Sequence, residues 1–128
     1  MTSTQLRTIM IAGWTVGTSA CTDGTFCTTS IEPAVVVEIR DSIDDTPIAA
    51  GASGRVVDGG FTDSLRAYAS LSPGTLLSRA GADERPGEYF VQVQHPGYND
   101  WTESGVRVET NACHVTTVTL QARLQRVP

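Results

Sequence analysis

The 128-residue chain contains no lysine; its basic side chains are nine arginines, set against fourteen carboxylates for a formal net charge of −5. A phosphate-binding surface needs clustered basic groups, whereas Arg40, Arg55, Arg66, Arg79, Arg85, Arg107 and Arg123 stand singly, mostly beside acidic residues. Nucleic acid is therefore not an expected partner. Histidine is scarce, with two, and the three cysteines form no Cys-x-x-Cys, so a zinc site is not expected. Ser53, in Gly51-Ala52-Ser53-Gly54, lacks the Gly-x-Ser-x-Gly spacing and the strand-to-helix setting that expose a nucleophile. No segment carries a sustained helical repeat of apolar positions, and aromatic residues make up only 6%. The surplus of aliphatic and β-branched residues, with frequent Gly and Thr, favours short strands joined by turns. The length suits one compact domain with a two-layer core.

Strand periods occupy most of the chain from Pro33 onward. In Ala34 to Arg40, Val35, Val37 and Ile39 share a face; a turn follows from Asp41, and Ser53 to Asp58 is a second strand. Asp58-Gly59-Gly60 marks a hairpin leading into a third strand, Phe61 to Tyr68. Ser72-Pro73-Gly74 is a turn, Thr75 to Arg79 reads as an edge strand, and Gly81 to Arg85 as a loop. Tyr89, Val91 and Val93 then alternate with Glu88, Phe90, Gln92 and Gln94 between Pro86-Gly87 and Pro96-Gly97. Tyr98 to Trp101 and Val106 to Glu109 form a strand interrupted near Gly105. A last strand spans Cys113 to Leu124, with Val118, Leu120, Ala122 and Leu124 on one face. The expected architecture is all-β, a single antiparallel sandwich of about seven strands over residues 33–128.

Residues 1–20, MTSTQLRTIMIAGWTVGTSA, place Arg7 before a mostly apolar run from Thr8 to Val16 and then small residues. This is the order of a secretory signal, and a run of about ten residues is too short to span a bilayer as a helix. The plainer alternative is a disordered start or a misplaced initiation codon. Thr18-Ser19-Ala20-Cys21 resembles the lipobox of bacterial lipoproteins, with Thr18 where that pattern prefers Leu. The resemblance implies lipidation of Cys21 and membrane contact through an acyl anchor alone, each buried methylene contributing about 0.8 kcal/mol. Residues 21–32 read as a tether. Cys27 and Cys113 then remain as a pair whose disulfide would pin this tether to the sandwich; the alternative is two buried thiols. The expected location is the exported side of the cell envelope, membrane-anchored, periplasmic or extracellular.

The segments GEYFVQVQHPGYNDW, GVRVE and CHVTTVTLQARL resemble the carboxypeptidase regulatory-like domains, a transthyretin-like β-sandwich group found in bacterial surface proteins. The Gly-x-Tyr motif is Gly87-Glu88-Tyr89, the Gly-Tyr turn is Gly97-Tyr98, and the terminal aliphatic strand is Val115 to Leu124. The resemblance covers most of residues 33–125. It implies a non-catalytic accessory or adhesion-type module, usually of unknown partner; no cofactor or metal is expected, and the expected partner is an unknown envelope protein or a glycan. The peptidase domain that gives the group its name is not part of this sequence, so no metallopeptidase activity is expected. Hydroxyisourate hydrolases share the architecture but end in Tyr-Arg-Gly-Ser, whereas this chain ends Leu124-Gln125-Arg126-Val127-Pro128.

Four groups of residues invite a chemical reading. His95, at a strand exit, and His114 could act as general bases, but no nucleophile or orienting carboxylate is identifiable beside either; no catalytic residue is assigned. Asp41, Asp44 and Asp45 could offer oxygens to calcium, which takes about six to eight; a solvated turn with aspartates capping local amides is the simpler expectation. Tyr98 and Trp101 could stack on a sugar or peptide, which makes a small-ligand or carbohydrate-binding domain the alternative function. Packing at the sandwich rim competes for both rings.

Overall fold

The computed structural model describes residues 26–128. The signal-like segment 1–20 and Cys21 lie outside them. Two four-stranded sheets pack as a sandwich, and no α-helix occurs among the described residues. The strands are β1 (Pro33–Asp41), β2 (Ser53–Asp58), β3 (Phe61–Ser64), β4 (Arg66–Ser72), β5 (Thr75–Asp83), β6 (Gly87–Gln94), β7 (Trp101–Val108) and β8 (Val118–Leu124). Sheet I has the order β4-β5-β1-β8 and sheet II the order β3-β2-β6-β7. A single turn of 3-10 helix, Ala49–Gly51, lies between β1 and β2.

The period-2 patterns translate directly into the core. Val35, Val37 and Ile39 of β1 are fully buried, as are Val56 of β2 and Val91 and Val93 of β6. Tyr89, Val106, Val108, Ala122 and Leu124 complete the interior. Each buried valine or leucine contributes about 1.5–3 kcal/mol relative to exposure, so this aliphatic interior carries the sandwich with one fully buried aromatic ring, Tyr89.

Four expectations need correction. Phe61 to Tyr68 is not one strand but two, β3 and β4, which belong to different sheets. The chain changes sheet at Leu65, whose amide donates to Gly54 O at 2.9 Å and whose side chain is buried. Leu65 fits there because two strands lack side chains opposite it: a Cβ on Gly54 would lie 2.7 Å from its Cδ1, and one on Gly81 3.2 Å from its Cδ2. The strand count is consequently eight.

The second correction concerns β5, which runs on to Asp83 and lies between β4 and β1 instead of at an edge. Its far end is held where sequence reads as loop: Asp63 Oδ2 accepts the Ala82 amide at 2.8 Å, and Glu32 O accepts that of Glu84 at 2.9 Å. Ala82 and Glu84 both adopt positive φ, 58° and 51°, conformations that non-glycine residues take at some cost.

Third, β7 is continuous, because Gly105 (φ +67°) absorbs a bulge opposite Phe90 and the ladder resumes at Val106; Tyr98 stands before it in a turn. Fourth, the last strand begins at Val118, and it pairs with β1 in parallel register from Val35↔Val118 to Asp41↔Leu124, so the sandwich is not wholly antiparallel. Residues 110–117 form a reversal closed by a Thr110↔Val115 bridge.

Candidate functional site

Three polar junctions and one cleft hold the chemistry-bearing residues. The first junction surrounds Asp41, the last residue of β1. Its carboxylate is only 1% exposed, which differs from the solvated turn expected of this aspartate-rich segment. The capping itself is present: Oδ1 accepts the amides of Ile43 (2.7 Å) and Asp44 (3.3 Å), and Asp44 Oδ1 accepts that of Thr46 (3.0 Å). Oδ2 accepts the Tyr98 hydroxyl and Arg126 Nε, each at 2.6 Å. Hydrogen bonding from Tyr98, together with Ile43, Arg126 and Asp44, holds this carboxyl far below the usual range despite burial. The same bond, with burial, pushes the Tyr98 hydroxyl up, and Asp41 raises the Arg126 guanidinium. Such charge-assisted bonds are among the stronger polar contacts in proteins. Their oxygens are thus engaged by the protein itself, and no group of three or more His, Cys, Asp or Glu among the described residues is placed to hold a metal ion.

The second junction fastens the lead-in segment. Cys27 and Cys113 form a disulfide with Cα atoms 5.2 Å apart, so the alternative of two buried thiols is set aside. Beside it, His114 Nδ1 lies 2.7 Å from Glu84 Oε1 and Nε2 lies 3.1 Å from Thr28 Oγ1. Glu84 Oε1 also accepts the Glu32 amide at 2.8 Å, and this bond, helped by His114, lowers the Glu84 carboxyl. Carboxylate, imidazole and hydroxyl in this order form a proton-relay geometry. The two adjacent backbone donors, Cys113 N and His114 N, are both bound to Asn111 Oδ1 at 2.9 and 2.8 Å, which leaves neither for a developing oxyanion. The arrangement acts as a clasp. Sequence reading missed it because Glu84 is brought to His114 by positive-φ backbone from 30 residues away.

The third junction explains the Gly-x-Tyr motif. Tyr89 donates its hydroxyl to Arg85 O at 2.6 Å, while Arg85 Nη1 reaches Asp58 at 2.9 Å and its guanidinium lies 4.0 Å over the Phe61 ring. Hydrogen bonds to Tyr89 and Asp58 raise the Arg85 guanidinium. This is scaffold chemistry, satisfying a buried phenol at the mouth of β6.

The remaining candidates separate. His95 Nδ1 lies 2.7 Å from Pro96 O, and its ring packs edge-on against Tyr98 with centroids 4.8 Å apart. Tyr98 therefore meets His95, while Trp101 pairs with the inward-facing Val93 and packs against the core. Trp101 also borders a hollow of about 120 Å3 with Asn99, Asp100, Arg123 and Gln125. A larger cleft, about 370 Å3, opens on the outer face of sheet II, lined by Ser53, Gly54, Arg55, Ser64, Gln92 and Gln94. Period-2 alternation signalled that Gln92 and Gln94 face outward; the sheet pairing brings Arg55 and Ser64 beside them.

Fold and junctions together define a two-sheet, eight-strand β-sandwich closed by a disulfide. Neither protein-family models nor curated proteins gave a match to the chain.

Proposed function

We propose that the chain is an exported, non-catalytic binding or structural module of the bacterial cell envelope, anchored through lipid on Cys21 and akin to the carboxypeptidase regulatory-like, transthyretin-like sandwiches. The observation that carries this reading is the Cys27–Cys113 disulfide. Disulfides persist in oxidising compartments and are rare in the reducing cytosol, and this one fastens residues immediately following the lipobox-like sequence. The Gly87-Glu88-Tyr89 and Gly97-Tyr98 motifs support the family reading through their use in holding Arg85 and Asp41. A ligand-binding role for Tyr98 and Trp101 competes and draws on the small hollow beside Trp101; the Tyr98 hydroxyl is already committed to Asp41.

Intact mass spectrometry of protein from membrane and soluble fractions, with and without reductant, tests the proposal. The expected species starts at acylated Cys21 and gains the mass of two hydrogens on reduction. An unprocessed, fully reduced chain in the cytosol would overturn it.

A further inference from the structure

The outer face of sheet II differs from an ordinary solvated sheet face in that its polar side chains are wired to one another. Ser64, Arg55, Gln92 and Thr102 form one row across all four strands, with Ser53 and Gln94 in the next. Arg55 Nε donates to Gln92 Oε1 at 3.1 Å; Gln92 Nε2 and Gln94 Nε2 both donate to Asp100 Oδ2 at 3.2 Å. These bonds fix the orientation of both amides. Among the described residues, the terminal nitrogens of Arg55 and the side-chain carbonyl of Gln94 make no other hydrogen bond, and they line the 370 Å3 cleft together with Ser53 and Ser64; Asp100 stands beside the cleft, joined to its lining through Gln92 and Gln94. That volume lies within the range of ligand sites, about 300–1,000 Å3.

We infer that this cleft binds a neutral glycan, through Arg55, Gln92 and Gln94, with Asp100 holding the two amides in place from beside it. The inference rests on the reading of the chain as a binding module and gives that module a ligand class and a face. Three features select the ligand. The cleft offers free donors on Arg55, a free acceptor on Gln94 and two serine hydroxyls, a mixture that matches hydroxyl groups, each of which both donates and accepts. Arg55 in the lining and Asp100 beside it, linked through Gln92, carry opposite charges, so neither an anionic nor a cationic ligand is favoured. Phe90 lies two residues before Gln92 on the same face and is 38% exposed, a ring in the neighbouring row, outside the cleft lining, able to meet the apolar C–H face of a sugar that extends past the cleft. A peptide would look for apolar side-chain pockets, and the lining here is almost entirely polar. Because the amides are held before binding, less ordering entropy is lost on association.

Titration of 15N-labelled protein with maltotetraose, cellotetraose and xylotetraose, followed by NMR, tests the site. At least one sugar is expected to shift the Gln92 and Gln94 side-chain amides and Arg55 Nε–H saturably in the millimolar range. Arg55→Ala and Asp100→Asn, at exposed positions, are each expected to weaken that binding about tenfold or more with unchanged melting temperature. Absence of shifts with all three sugars, shifts centred on Tyr98 and Trp101, or equal binding by the variants would each overturn the site. Cleavage of a sugar during the titration would instead overturn the non-catalytic reading of the module, so the two failures are told apart.

Discussion

Residues 26–32 and residues 125–128 both cross to distant parts of the sandwich, and they are fastened there by different chemistry. The lead-in segment is held covalently by Cys27–Cys113 and by an accessible clasp in which His114 joins Glu84 to Thr28. The tail is held by a charge buried beneath it: Arg126 reaches Asp41, while Asn99 N donates to Gln125 O at 2.8 Å and Val127 N to Gly97 O at 3.0 Å. One fastening depends on redox state and tolerates the loss of its polar contacts. The other depends on a single ionised carboxylate that serves Tyr98, Arg126 and two backbone amides together. The difference shows how one domain can use two locks, one covalent and redox-dependent with an acid-sensitive clasp beside it, the other resting on a buried ionised carboxylate and indifferent to redox state.

The largest effect should come from the covalent lock. Cys27→Ser with Cys113→Ser, or reduction of the native protein, is expected to cost about 2–5 kcal/mol by releasing the chain between positions 86 residues apart, lowering Tm by on the order of 10–20 °C. Melts with and without reductant measure this; an unchanged Tm would transfer the fastening of residues 26–32 to the His114 clasp.

Next in size is Asp41→Asn. The amide cannot accept from Tyr98, Arg126, Ile43 and Asp44 as the carboxylate does, so Tm should fall by roughly 10 °C. The Asn99 and Val127 amides should exchange faster with solvent while the Cys27 end stays protected. Equal exchange at both ends would deny the independence of the two locks.

Acid should act more gradually, on the Asp41 lock and on the Glu84 clasp of the lead-in segment. The Asp41, Asp44 and Glu84 carboxyls are all held below their ordinary values in the folded chain, so the unfolded chain takes up protons first. Their stabilisation is complete at neutral pH and declines as pH falls below the unfolded value of about 4. Thermal melts stepped from pH 7 to pH 3 should show that decline, shallower in Asp41→Asn. A native protein whose Tm is flat through that window would remove the ionised carboxylate from the explanation.

The smallest effect belongs to Thr28→Val. Its hydroxyl is exposed and meets His114 Nε2 at 3.1 Å, so with the disulfide intact a change of no more than about 2 °C is expected. The same substitution in reduced protein should cost more, since the clasp then holds the segment alone.

Legibility follows the range of the forces involved. β1, β2 and β6 were readable because alternation places every second side chain on one face whatever the partner strand. The β2–β3 hairpin was readable because Asp58-Gly59-Gly60 acts locally. The division at Leu65 was not, since Phe61, Asp63 and Leu65 keep the same period through the change of sheet; only the room left by Gly54 and Gly81 reveals it. β5 was truncated in the sequence reading because small residues give weak periodicity and its end is held by Asp63 and Glu32 from elsewhere. At the junctions, the Cys27–Cys113 pairing was expected once the lipobox resemblance set Cys21 apart, with two buried thiols as the alternative. The Asp41–Tyr98–Arg126 and Glu84–His114–Thr28 contacts were not, because their members are 30 to 86 residues apart.

Amino-acid order alone determined that this protein is a β-sandwich and which faces of its main strands are buried, since those properties arise from alternation and turn chemistry. Tertiary structure alone decided where the chain changes sheet, that β8 lies parallel to β1, that Cys27 and Cys113 are bonded and not two buried thiols, and which polar residues become locks or a wired cleft. Those outcomes require side chains far apart in the chain to meet at hydrogen-bonding distance, and a distance in space is set by packing of the whole.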